Sequence, residues 1–126
     1  MSPESPILVE IAPGELIDRI TILEIKIERI VDVAKLANVR VELEALARAR
    51  DERLIASDQL TALAAELKTI NERLWTVEDD LRDCERDKDF GARFVELARS
   101  VYFTNDKRAA VKRQINDLLG SRIVEE

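Results

Sequence analysis

The sequence contains a long stretch without the residues that most often end helices. Between Glu15 and Phe90 there is neither a proline nor a glycine, and leucine, isoleucine and alanine recur at helical spacing. The three prolines all precede this stretch, as Pro3, Pro6 and Pro13. The sequence therefore predicts an all-α fold with long helices.

Turns must divide this stretch, because one helix over it would run about 110 Å, too long for a chain of this size. Asp32 and Ser57 are candidate N-caps at two of the turns. The first helix is expected to start after Pro13-Gly14, and Gly120 is expected to end the last one. The other helices are predicted over roughly 33–56, 58–88 and 92–119. These segments predict an antiparallel helical bundle with coiled-coil-like packing.

The two ends of the chain are expected to be extended. Residues 1–13 form an N-terminal segment with a short strand-like run at Ile7–Ile11, between two prolines. Residues 121–126 form a short extended tail that contains Ile123-Val124. The two short ends are expected to pair with each other or across a dimer, and residues 1–126 are read as a single domain.

Composition excludes several classes of function. The net charge is −6, and the basic residues alternate with acidic ones, so no basic surface for nucleic acid is predicted. The chain has no histidine and a single cysteine, Cys84, which removes histidine-based catalysis and nearly excludes a zinc site. No catalytic residue and no cofactor is predicted. One cysteine and the lack of an apolar run of membrane-spanning length predict a cytoplasmic protein without membrane insertion.

Two places break the apolar pattern of the helices. Trp75 points away from the core stripe of the third helix, and Asn105 continues an apolar stripe of the fourth. If these helices form an antiparallel hairpin, Trp75 lies near Asn105 and Glu78 near Tyr102. The candidate ligand- or partner-binding residues are Trp75, Glu78, Asp79, Tyr102, Asn105 and Arg108. The structural alternatives are that Trp75 packs on the neighbouring helix and that Asn105 is the N-cap of a new helix after a kink.

An acidic cluster in the third helix contains Asp79 and Asp83, whose spacing allows two carboxylates to chelate Mg²⁺. Arginines four residues from cluster members neutralise part of it, so a solvated charged face is the simpler interpretation. The first helix carries Ile22 and Ile25 opposite its main apolar stripe. Because one chain of four helices is not expected to cover both sides, a homodimer is predicted.

Three segments resemble a family of small bacterial proteins whose function is unknown. They are VEIAPGELIDRITILEIK at 9–26, which contains PGELIDRITILEIK, then LWTVEDDLR at 74–82 and FVELARSVYFTNDKR at 94–108, which contains VYFTNDKR. The resemblance extends over nearly the whole chain and implies a natural single-domain protein. It implies no activity, cofactor or catalytic residue.

The function that the sequence favours is a helical protein–protein interaction or scaffold module that self-associates and binds a protein partner. One alternative is a small-molecule binding protein that takes a phosphate or sugar nucleotide in a polar groove between the third and fourth helices. A less favoured alternative is a magnesium-dependent enzyme that uses carboxylates.

Overall fold

The computed structural model describes residues 5–126, which form four α-helices. These are α1 (Pro13–Arg29), α2 (Val33–Arg53), α3 (Asp58–Arg86) and α4 (Ala92–Leu118). The prediction of an all-α fold is confirmed for these residues. The predicted strand-like segment is not confirmed, since no strand is present between residues 5 and 126. Residues 7–11 have no regular secondary structure and their aliphatic side chains are exposed, while the first four residues of the predicted extended segment lie outside the described part.

The helix ends follow the capping residues in the sequence. The side chain of Asp32 accepts a hydrogen bond from the Lys35 amide at 3.0 Å, and that of Ser57 accepts one from the Leu60 amide at 3.1 Å. Both predicted N-caps are therefore confirmed. Gly120 follows the end of α4 with a φ of 64°, the left-handed conformation that glycine adopts without strain.

The interpretation of Asn105 as an N-cap after a kink is wrong. Helix α4 is continuous from Ala92 to Leu118, so Asn105 lies in its interior with an exposed side chain. The neighbouring Thr104 is buried instead. Asn105 interrupts the apolar pattern because the buried side of α4 passes to Thr104 at this point, while the backbone stays helical.

Helix α1 is the centre of the fold. It packs against each of the other three helices, whereas α2 packs against α1 alone. Ile25, on the side of α1 away from its main stripe, is only 1% exposed, and Ile22 is half-buried. The expectation that a single chain would leave this side open is therefore wrong for Ile25.

The core lies where α1 crosses the pair formed by α3 and α4. Its buried side chains are aliphatic, namely Ile17, Leu60, Leu67, Val111 and Ile115. Asp18 of α1 binds Asn71 of α3, and Glu28, ten residues later, binds Lys68. The two contacts are ten residues apart on α1 but only three residues apart on α3. The axis of α1 therefore crosses that of α3 and does not run alongside it.

Helices α3 and α4 form a hairpin that extends past α1. They run antiparallel: Arg93 near the start of α4 contacts the sulfur of Cys84 near the end of α3, and farther from the turn Asn71 of α3 and Arg108 of α4 both bind Asp18. The side-chain hydrogen bonds of α1 reach only as far as Asn71 on α3 and Arg108 on α4. We call residues 75–103 the outer hairpin. Only two of its residues, Val77 and Cys84, are buried.

Candidate functional site

A partly buried ion pair joins α1 to α4. The guanidinium of Arg108 donates two hydrogen bonds to the carboxylate of Asp18, from Nε at 2.9 Å and from a terminal nitrogen at 2.5 Å. Asp18 is 1% exposed, and the Arg108 side chain keeps 30% of its surface in contact with solvent. The hydrogen bonds to Asp18, which outweigh the effect of burial, raise the pKa of Arg108 above its usual value. The two hydrogen bonds to Asp18 thus fix the Arg108 side chain within the fold.

Two further side chains complete the polar cluster around Asp18. The amide of Asn71 donates to Asp18 Oδ1 and to Thr21 Oγ1, both at 2.9 Å. The hydroxyl of Thr21 in turn donates to the backbone carbonyl of Asp18 at 2.7 Å. Every buried side-chain nitrogen and oxygen in the described part of the chain has a partner. A satisfied network of this kind fixes how α1, α3 and α4 meet.

A second set of polar contacts fastens the start of α1 to α4. The carboxylate of Glu15 accepts hydrogen bonds from Lys112 at 2.6 Å and from Arg19 at 3.1 Å. Partial burial raises the pKa of Glu15, but these two hydrogen bonds outweigh it, so the pKa lies below its ordinary value. The amide of Gly14 donates to Asn116 Oδ1 at 2.7 Å. A side chain at position 14 would meet the Lys112 carbonyl oxygen at 2.4 Å, so glycine is required for this close approach.

The residues of the predicted polar groove do not all share one environment. Trp75 is half-buried, while Tyr102 and Asn105 are exposed. Glu78 and Asp79 are exposed as well, and Glu78 lies close enough to Arg108 to help raise its pKa. Because Arg108 is bound to Asp18, the proposed ligand groove has lost its main cation. Its use as a binding site stays a prediction.

The acidic cluster of α3 is paired within its own helix. Asp79 accepts a hydrogen bond from Arg82 at 2.7 Å, and Asp83 accepts one from Arg86. Between residues 5 and 126 no group of three or more acidic or cysteine side chains is arranged to hold a metal ion. The cluster therefore has the contacts of a charged solvated face.

An apolar groove separates α2 from α3, with α1 as its floor. Its volume is about 400 Å³, within the range of small-molecule sites. Aliphatic side chains line it, including Ile17, Leu54 and Leu60. Charged residues, among them Glu24, Arg50, Asp51 and Lys68, form its rim. The sequence pattern gave no sign of this groove, because it depends on α2 leaving α3 uncovered.

All five aromatic residues of the chain lie in the outer hairpin, and none is buried. They are Trp75, Phe90, Phe94, Tyr102 and Phe103. Phe90 and Phe94 stack edge to face, with ring centroids 5.3 Å apart. Aromatic side chains are normally the largest contributors to a core, and outside the core they are enriched at interfaces. This clustering of the aromatic residues can be read directly from their residue numbers.

Part of this aromatic surface forms a stripe along α4. At 100° per residue, one side of α4 carries the seven residues Ala92, Val95, Arg99, Tyr102, Phe103, Asp106 and Ala110, which we call the α4 outer face. The opposite side of α4 carries Phe94, Leu97 and Val101, which are half-buried. Val95, Tyr102 and Phe103 are each more than half exposed.

The fold and its surfaces define a small all-α protein with a polar cluster for structure and an aromatic hairpin exposed to solvent. The chain belongs to the family described as "Family of unknown function (DUF6165)", which matches residues 7–126. No curated protein and no solved structure matches it. Within the described residues, no helix combines the length and hydrophobicity needed to cross a bilayer.

Proposed function

We propose that this protein is a helical interaction module that associates with itself and serves as a scaffold. The observation that carries the proposal is its surface area. The chain exposes 9024 Å², whereas a compact monomer of its mass exposes about 6,800 Å². Stable interfaces cover about 800 Å² on each partner, and the excess of roughly 2,200 Å², part of which belongs to the exposed chain ends, is large enough to contain one.

Two elements account for the excess outside the chain ends. Helix α2 has no buried residue, and the outer hairpin has only two. Both elements bury few side chains within one chain, whereas most helical stability in proteins comes from packing. An interaction module with free helical surfaces accounts for both.

The proposed setting is the cytoplasm of a bacterium. Cys84 is buried and unpaired, which is the usual state of cysteine in a reducing compartment. The bacterial source rests on the resemblance of the three sequence segments.

Sedimentation equilibrium tests self-association directly. We expect a species of twice the chain mass of 14.4 kDa to predominate within the range of about 1 to 100 μM, where interfaces of standard size associate. A protein that keeps the mass of one chain up to the highest concentration would contradict the proposal.

A further inference from the structure

We infer that the surface of self-association is the α4 outer face and that its occupant is the same face of a second copy. The inference rests on the proposed self-association and adds the interface to it. Three of the large exposed apolar side chains of the molecule, Val95, Tyr102 and Phe103, lie together on this face. They follow one another at the spacing that helices use to pack in pairs.

The face matches itself when two α4 helices run antiparallel. A two-fold axis between Tyr102 and Phe103 places each of these rings opposite the other ring of the second copy. Arg99 and Asp106 are equally far from the axis on its two sides, so Arg99 of each copy lies opposite Asp106 of the other. Further out, Val95 lies opposite Ala110. The order is therefore an aromatic centre, two ion pairs and a small apolar contact at each end.

The α4 outer face carries two charged residues that are unpaired in the described part of the chain. Neither Arg99 nor Asp106 takes part in an ion pair with any residue between 5 and 126. This contrasts with the acidic cluster on α3, where Asp79 and Asp83 are already paired with arginines. In a parallel arrangement Arg99 would face another Arg99, which is unfavourable. Charge complementarity thus selects both the second copy and its direction.

The length of the face suits an interface between two helices. From Ala92 to Ala110 it covers about 27 Å at 1.5 Å per residue. Aromatic residues at the centre and charges around them reproduce the usual anatomy of interfaces, in which a buried aromatic cluster carries most of the affinity. The second copy also covers Tyr102, which is 68% exposed in the single chain.

The first experiment compares two variants of the full chain by sedimentation equilibrium. Phe103→Glu places a charge at the centre of the proposed interface, at a position that is 59% exposed and so tolerates it in the monomer. Val41→Glu, on α2 at 70% exposure, is the matched control. We expect Phe103→Glu to be monomeric and Val41→Glu to remain a dimer. Circular dichroism verifies that both keep their helices.

The outcomes separate the two proposals. A monomeric wild type contradicts self-association itself, and the interface falls with it. A dimeric wild type whose Phe103→Glu variant is equally dimeric leaves the scaffold function standing and overturns the α4 interface. Loss of the dimer in Val41→Glu, with Phe103→Glu unaffected, would move the interface to α2.

A charge exchange tests the direction of the helices. Arg99→Asp and Asp106→Arg each place like charges opposite one another twice in the dimer. Each is expected to raise the dissociation constant of the dimer by about tenfold or more. Combining both substitutions in one chain restores opposite charges in the antiparallel arrangement, so the affinity should recover. If the combined variant is as weak as the single ones, the antiparallel pairing is wrong.

Discussion

Replacing Arg108 by alanine should destabilise the protein strongly, because it leaves Asp18 charged and buried. Asp18 is 1% exposed and would keep only the amide of Asn71, at 2.9 Å, as a side-chain donor. Breaking a buried ion pair costs about 3–5 kcal/mol, but the Arg108 side chain is 30% exposed and water will partly replace it. We therefore expect a loss of about 2–4 kcal/mol in the free energy of unfolding.

For a chain of this length, 1 kcal/mol corresponds to roughly 4 °C in Tm, so the expected decrease is about 8–16 °C. Urea unfolding followed by circular dichroism gives the free energy, and a thermal scan at the same protein concentration gives Tm. Arg82→Ala is the matched control, since Arg82 pairs with Asp79 on the surface and should matter by less than about 1 kcal/mol.

A cycle with Asp18→Asn separates the pair from its surroundings. Asparagine at position 18 removes the charge and keeps a hydrogen-bond acceptor, so this variant should lose less than Arg108→Ala. The two substitutions together should cost less than the sum of the two alone, because the single variants each leave one charge without its partner. An Arg108→Ala variant whose free energy of unfolding lies within about 1 kcal/mol of the wild-type value would refute this reasoning. Arg108 would then again be a candidate residue for binding a ligand.

Two other substitutions test the attachment of α1 to α4. Gly14→Ala should lower the free energy of unfolding in urea by about 2 kcal/mol or more, because the added carbon would lie 2.4 Å from the Lys112 carbonyl oxygen. Gly91→Ala is the control and should be nearly neutral, because the nearest neighbour of its added carbon lies at 3.4 Å. Equal effects of the two substitutions would contradict this packing. Glu15 has a lowered pKa, so its contribution is complete above its ordinary value of 4.5 and is lost as the pH falls through the lower value in the folded protein. The wild type should therefore exceed Glu15→Gln in the free energy of unfolding at neutral pH, and the difference should shrink as the pH falls below 4.5; a constant difference would rule out this linkage.

Local chemistry allowed the helices to be predicted, because their ends depend on residues close in the sequence. Asp32, Ser57 and Gly120 act where capping rules place them. The arrangement of the helices depends on contacts between distant residues, and here the prediction was incomplete. The sequence predicted a helical bundle, but it gave no sign that α2 would pack against α1 alone.

The polar cluster around Asp18 could not be predicted for the same reason, because its contacts join residues that are distant in the sequence. Asp18 lies near the start of α1, where an acidic residue is explained by the helix dipole, so its sequence position gave no reason to consider it buried. Arg108 was predicted only as a candidate ligand- or partner-binding residue. Its partner was missed, since the contact joins residues 90 positions apart.

The distribution of aromatic residues links the fold to the proposed function. The core formed by α1, α3 and α4 is made of aliphatic side chains and contains none of the five aromatic rings. Folding of this core thus provides no reason for the rings to gather between residues 75 and 103. Exposed rings such as Phe103 carry a cost in solubility unless something covers them. A second copy on the α4 outer face would cover Tyr102 and Phe103 and would pair Arg99 with Asp106, two charges that form no ion pair in the described single chain.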